Sequence, residues 1–401
     1  MNTKKEFITY FLSFSIIIFS LISCSKDAGV VTPNTTVDTG YQYTVPEQLN
    51  DGWQTVSVTD VGMIIAPLKE MMDSLYYGRE HKIHNILIVK NGKLVFEEYL
   101  EGFAYRTDPP RELNYKIQYN RDMYHYLASA TKSVTSVLFG VAVKNGFIPN
   151  NMDEKITTFF PHYSDILIGE KANITLKHLL SMTSGLDWDE TTYPYGDPRN
   201  DVTGMFLSSD PIRFVLSKGM HAVPGVQFHY NSGVTNVLAE IIRLQTNQNF
   251  LQYANTNLFQ PLGITYYLWE RIHGQYYFAS GGLHLRPRDL AKIGYVFLNN
   301  GMWNNQQIIT QNWINASTTS YSNPGWQGFA NGYGFQWWMN TRNINGNNYD
   351  YFMAAGYGEQ YMLVCPALDL ILIFNGSYFA PPVTVSPFEL IQNYIDPALN
   401  P

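Results

Sequence analysis

Cysteine is almost absent: two residues, Cys24 and Cys365, in a chain of 401. A scaffold stapled by several disulfides is therefore excluded. Charge is also sparse, at 15% of residues with a net charge of -7, and no basic run follows the first few positions. Nucleic acid is thus not an expected partner. The chain carries no Gly-x-Ser-x-Gly elbow, no His-Glu-x-x-His helix and no Gly-Lys-Ser/Thr phosphate loop, which removes the usual signatures of α/β-hydrolase, zincin and P-loop chemistry. His81-x-x-His84 beside Glu80 has no further ligand at a metal-site spacing. Neither a metal nor a cofactor is expected, and both histidines read as surface residues. Apolar residues, by contrast, make up 45% of the chain, with 29 Tyr, 23 Phe and 8 Trp. That is ample for one large core or two intimate ones and suits an aromatic-lined cleft.

One apolar run, Phe7 to Ile22, follows Lys4 and Lys5 and closes at Leu21-Ile22-Ser23-Cys24. A charged start, a short apolar stretch and small residues before a cut site make a secretory signal. The run is too short and too one-sided to be read as a spanning helix. Its end resembles the lipobox of bacterial lipoproteins, which implies removal of residues 1–23 and lipidation of the Cys24 thiol. The resemblance implies a protein held by lipid at the bacterial cell envelope, on the periplasmic face or the outer-membrane surface. Cys365 is then a lone cysteine in an apolar segment, a core residue. Residues 24–54 read as a tether and N-terminal extension, and residues 55–401 as the folded domain.

Ile64, Ile65, Leu68, Met71, Met72 and Leu75 have helical spacing, with Pro67 suited to a first turn. Ile86–Lys90 and Lys93–Glu97 flank Asn91-Gly92, a strong hairpin signal. Thr175 caps a short helix to Met182. His178 on that helix, between apolar neighbours, is read as a satisfied core group and not as a base. Further helices are expected at Asp210–Ser217, at Asn236–Thr246 and from Arg286-Pro287 to about Asn299. Asp187 to Asn200, rich in Asp, Tyr, Pro and Gly, must be a loop, and Trp188, Tyr193 and Tyr195 are placed by it near a pocket. Tyr333–Met339, Tyr361–Val364 and Leu368–Phe374 read as strands, and Pro387–Tyr394 as the last helix. Strands at both ends with helices between them give a mixed α/β domain: one sheet, and an all-α lobe, roughly residues 150–280, inserted between its two parts.

Ser129-Ala130-Thr131-Lys132 precedes apolar residues at Val134, Val137, Leu138 and Val141. Ser129 is therefore expected to open a helix that ends at Lys144-Asn145-Gly146. Lys132 lies about one turn on, on the same face. A serine hydroxyl is a poor nucleophile until a base takes its proton. A helix N-terminus adds partial positive charge, and burial lowers a lysine pKa, so a neutral lysine base is available in principle. Alone the motif says little, because serine is a common N-cap and Ser23 to Lys26 repeats the spacing in the leader.

Four further blocks change its weight. They are His178–Leu186, Pro224-Gly225 followed by Tyr230-Asn231-Ser232, Gly281-Gly282-Leu283 with Arg286–Ala291, and Ala355–Gln360. In this order, over about Ile86 to Asn375, the blocks resemble the serine β-lactamase and penicillin-binding-protein superfamily. Within it they resemble the class C-like serine hydrolases, in particular the branch of the 6-aminohexanoate-dimer hydrolases and similar esterases. The resemblance implies a β-lactamase-like antiparallel sheet flanked by helices. It implies Ser129 as nucleophile, Lys132 as its partner base and Tyr230 as proton shuttle, with the acylation base left open between Lys132 and Tyr230. It also implies an oxyanion hole made by the backbone N–H groups of Ser129 and Gln360.

Two departures bear on substrate. The family's Tyr-x-Asn is here Tyr230-Asn231-Ser232, so a shorter side chain stands where an amide would contact Lys132. The Lys-Thr-Gly of true β-lactamases is here Tyr357-Gly358-Glu359, which removes the cation that holds a β-lactam carboxylate. Glu359 either points away or favours a cationic substrate. The expected activity is cleavage of a small ester or amide through an acyl-enzyme. The alternatives are a β-lactamase or a D-amino peptidase acting on peptidoglycan-like substrates, and a non-catalytic binding lipoprotein. Specificity is expected to lie in the loops Asp187–Asn200 and Ser322–Asn331.

Overall fold

The computed structural model describes residues 40–106, 112–326, 328–379 and 385–399. The leader, the lipobox and Cys24 lie outside the described residues. No helix among the described residues is long and apolar enough to cross a membrane.

Both ends of the chain contribute to one seven-stranded antiparallel sheet. The N-terminal part supplies the hairpin of β1 (Ile83–Lys90) and β2 (Lys93–Tyr99). The C-terminal part supplies β3 (Gly332–Tyr333), β4 (Trp338–Ile344), β5 (Asn347–Gly356), β6 (Gln360–Cys365) and β7 (Leu370–Gly376). The spatial order is β3-β4-β5-β6-β7-β1-β2. The seam that joins the two ends is the β1–β7 pair, in register from Ile86 opposite Phe374 to Lys90 opposite Leu370. Every residue of β7 is buried, so the strand is covered on both faces and reads as a continuous apolar run, not an alternating one. Asn91 and Gly92 both take positive φ, 51° and 71°, as a two-residue turn between right-twisted strands requires.

Between the two halves of the sheet the chain is largely helical, but the lobe expected over residues 150–280 is not all-α: short strands at Tyr267–Trp269, Arg271–His273 and Tyr276–Tyr277 fall within it. The main helices are α1 (Ile65–Tyr77), α2 (Thr131–Lys144), α3 (Ser232–Thr246) and α4 (Pro287–Leu298). Helix α2 is buried from Thr131 to Ala142. It packs on α3 on one side and on β5 on the other, so it is the structural axis between lobe and sheet. Helix α4 lies on β6 and β7.

Several features differ from expectation. The folded body begins before Thr55: Tyr41 and Trp53 are buried, and the Trp53 indole donates to the Arg288 carbonyl at 3.1 Å. The single strand expected over Tyr333–Met339 is a tight hairpin, with Gly332 opposite Met339 and Tyr333 opposite Trp338. Gln336 sits in its turn at φ 65°, and its buried amide binds the carbonyls of Leu179 and Leu180 and the Thr235 hydroxyl. Helix α3 starts at Ser232, four residues early, because Asn231 is its N-cap and accepts from the Val234 amide at 3.1 Å. The last helical segment runs to Leu399 through a wider turn at Ile391–Ile395.

His84 is not a surface residue. It is fully buried, stacked on Tyr119 with ring centroids 3.7 Å apart and next to the equally buried His125 at 5.4 Å. Burial holds His84 well below the usual imidazole range and lowers His125 to about 3. In the unfolded chain each takes a proton as pH falls through about 6.5, whereas in the folded state neither does. Stability is therefore lost as pH falls from about 6.5, by about 2 kcal/mol for a group shifted as far as His125 once pH 5 is reached. Urea denaturation at pH 7 and pH 5 should show this loss, and His125→Gln should reduce it by about one proton's worth.

Candidate active site

Ser129 lies in a 3-10 turn, Ala128–Ala130, that leads directly into α2. Ala128 takes φ 45°, a left-handed conformation that a residue with a Cβ adopts at a cost of about 1–3 kcal/mol. The turn is pinned by the Leu127 amide, which donates to the Leu283 carbonyl at 2.9 Å. The end of β5 is pressed against it. A Cβ at Gly356 would lie 2.1 Å from the Leu127 carbonyl oxygen and 3.1 Å from both the Ala130 nitrogen and the Gln360 Cβ, so only glycine permits the approach. Gln360, opposite Gly356 in the β5–β6 pair, is thereby brought beside the serine turn. Its side-chain amide is fixed by the carbonyls of Gly358 (2.8 Å) and Gly376 (2.7 Å) and by Asn375 (2.9 Å).

Lys132, one turn into α2, has 2% of its surface exposed. Its Nζ donates to Ser129 Oγ at 2.9 Å and to the Ser280 carbonyl at 2.8 Å. Burial lowers its pKa to about 8, and the negative charge of Glu190 opposes that shift. Tyr230, just before α3, lies with its ring 4.9 Å from the Lys132 Nζ and with Ser129 near enough to its phenol to lower the phenol's pKa. The ring stacks on Trp338, with centroids 5.6 Å apart and planes 22° apart, and also meets Trp326. Burial, and then Glu190, push the phenol well above its ordinary pKa, against the lowering effect of Ser129. Tyr230 therefore stays protonated and is a donor. The sequence blocks around Ser129, Lys132, Tyr230 and Gln360 thus converge on one spot.

The residue that sequence reasoning missed is Glu190. Its carboxylate is buried and accepts three hydrogen bonds: from Ser232 Oγ at 2.9 Å, from the Ser232 amide at 2.9 Å and from the Trp188 indole at 2.6 Å. Trp188, expected at the pocket, is instead buried and holds this carboxylate. Ser232 spends its hydroxyl on Glu190. Nothing in Asp187-Trp188-Asp189-Glu190 distinguishes Glu190 from its acidic neighbours in sequence. The fold of the loop does, because Asn200 clamps it through the carbonyls of Glu190 (3.1 Å) and Tyr193 (2.7 Å).

A cavity of about 340 Å3 opens beside Ser129. Tyr195, Tyr357 and Ser232 line it. Tyr193 does not; Arg199 stacks over its ring at 4.1 Å. Gly358, at φ 86°, and Glu359 also lie off the cavity wall. Glu359 is 8% exposed, and burial, partly offset by Lys82, raises its carboxyl to about 8. Of the two readings of Glu359, the geometry fits the one in which it points away. His178 belongs to the capping box of its helix, with Nδ1 3.2 Å from the Thr175 amide.

The Beta-lactamase family profile matches residues 85–386. Among curated relatives, Protein flp of Staphylococcus aureus (strain COL) is 27% identical over 182 residues, covering 45% of this chain and 34% of that protein. The chain thus spans about a third of the length of the first curated relatives it matches. The 6-aminohexanoate-dimer hydrolase of Paenarthrobacter ureafaciens is 22% identical over 324 residues, covering 74% of this chain and 72% of the relative. Among solved structures, a putative 6-aminohexanoate-dimer hydrolase from Bacillus anthracis superposes with a TM-score of 0.62 at 23% identity, covering 82% of this chain and 81% of that one. That similarity supports the fold, and the profile match over most of the chain decides the family: this protein belongs to the Beta-lactamase family.

Proposed function

We propose that the protein is a serine hydrolase that forms an acyl-enzyme at Ser129 and cleaves a small ester or amide. The observation that carries this reading is the buried Lys132 amine, 2.9 Å from Ser129 Oγ with its pKa lowered to about 8. A lysine with that pKa is neutral in about a tenth of molecules at pH 7, against well under one in a thousand for an ordinary lysine, and the neutral form can take the serine proton. Tyr230 remains protonated and is the lesser candidate for the base.

In the proposed cycle Lys132 accepts the Ser129 proton as Oγ attacks the substrate carbonyl carbon. The oxyanion is met by the backbone N–H groups of Ser129 and Gln360, each such donor lowering the barrier by roughly 3 kcal/mol. The C–O or C–N bond then breaks. The leaving group takes a proton from Tyr230, which is resupplied from Lys132. Water, giving its proton back through the same pair, releases the acid. The amide branch is supported by the likeness to a protein named as a 6-aminohexanoate-dimer hydrolase. A β-lactam substrate is disfavoured because Tyr357 stands where a carboxylate-binding lysine would be needed. We also propose that the protein is held at the cell envelope by a lipid on Cys24, a reading supported by the leader sequence alone.

Three outcomes test this. A fluorophosphonate should label the wild type on Ser129, and Ser129→Ala should lose both labelling and at least a thousandfold of p-nitrophenyl butyrate turnover. Equal behaviour of the two proteins would leave a binding protein on this fold. The acid limb of kcat/KM should have its midpoint near the value of about 8 set by Lys132. Glu190→Gln removes a charge that raises the lysine pKa, so its limb should move to lower pH, and kcat/KM at the plateau should fall about tenfold as Ser232 and Trp188 lose a charged acceptor. A limb that stays in place would show that Glu190 acts only by packing.

A further inference from the structure

Glu270 stands on the wall of the cavity that opens at Ser129. Its backbone is fixed on both sides: its amide donates to the Gly282 carbonyl and its carbonyl accepts from the Phe278 amide, each at 2.8 Å. One carboxylate oxygen, Oε1, is 3.0 Å from His284 Nε2. His284 is buried and is itself held by the ring of Tyr126, with centroids 5.2 Å apart. The carboxylate therefore has a fixed position and not a range of surface rotamers, with 27% of its side chain still exposed. The same cavity is walled by the rings of Tyr126, Tyr195, Phe206, Phe278 and Tyr357. Among the described residues no lysine or arginine lines it. Lys132 lies behind Ser129, engaged by the serine and the Ser280 carbonyl.

We infer that this cleft selects substrates that carry an ammonium group, which Glu270 and the surrounding aromatic rings hold while the ester or amide carbonyl meets Ser129. The inference rests on the hydrolase reading above and names its substrate class. Ring faces attract a cation through their quadrupole, and a carboxylate fixed in a low-dielectric wall attracts it more strongly than one free in water. The same wall repels a substrate carboxylate. Glu190 does not fill this role, because its carboxylate is occupied by three protein donors.

The test uses matched pairs that differ in charge at one atom. On the alcohol side these are butyrylcholine and its carbon isostere 3,3-dimethylbutyl butyrate. On the acyl side they are the p-nitrophenyl esters of 6-aminohexanoic and heptanoic acids. In the wild type, at least one pair should show the cationic member favoured tenfold or more in kcat/KM, with the preference weakening at high salt. Glu270→Gln should bring that ratio to within about threefold of one. Binding of both butyrate esters to Ser129→Ala by calorimetry reads the same preference without turnover. A Kd ratio favouring the cation there, with no hydrolysis by the wild type, would support the site and sink the hydrolase reading. Hydrolysis of both pairs without cation preference, or a preference that survives Glu270→Gln in a protein with native circular dichroism, would overturn the inference and leave the hydrolase reading standing.

Discussion

Burying the Lys132 amine is the constraint that the rest of the site answers to. A lysine taken out of water must lose its proton more readily or find a counter-charge. Here both effects operate. Helix α2 is enclosed on all sides by α3 and by β5, and the amine is left with the Ser129 hydroxyl and one carbonyl as partners. That enclosure requires both ends of the chain. The C-terminal strands bring Gly356 against the serine turn, and the β1–β7 seam locks those strands to the N-terminal hairpin. In the proposed mechanism, activation of the serine is therefore a property of the closed sheet as much as of the four residues that spell the motif.

Glu190 supplies the counterweight. Without a counter-charge the buried Lys132 amine would have a still lower pKa and be a weaker base for the Ser129 proton. A carboxylate placed beyond Ser232 raises the pKa of both Lys132 and Tyr230. It keeps the lysine close to neutral working pH and the phenol protonated. Ser232 is short enough to leave space for that carboxylate and to donate to it twice, through its hydroxyl and its amide. At the position where the Tyr-x-Asn pattern carries an asparagine, Ser232 is thus paired with a carboxylate from a different loop. Trp188, which completes the grip on Glu190, couples that loop to Ser232.

Local signals read best from the sequence. The Asn91-Gly92 turn, the Thr175 cap and the helix spacing after Ser129 each depend on a few adjacent residues, and each is found as expected. The blocks that meet at the cavity are legible through their resemblance to the serine β-lactamase superfamily, since no one of them is distinctive alone. What escaped were features set by distant partners. Gln336 folds back only because Leu179, Leu180 and Thr235 offer it hydrogen bonds. His84 reads as a surface residue beside Glu80 and His81, yet its strand is covered on both faces and the aromatic ring of Tyr119 takes the place of water. Trp53 belongs to the core because Arg288, far along the chain, accepts its N–H. Glu190 is one acid among three in its segment until the loop closes.

The proposed chemistry depends on the protonation state of one amine. Heteronuclear NMR of lysine side chains, with the Lys132 signal assigned by its loss in Lys132→Met, would give its titration midpoint directly in the free protein. A midpoint near 8, well below that of an ordinary lysine, is the expected result. A midpoint at 10 or above would mean that Lys132 is a permanent cation, would contradict its role as the base for Ser129, and would return that role to Tyr230.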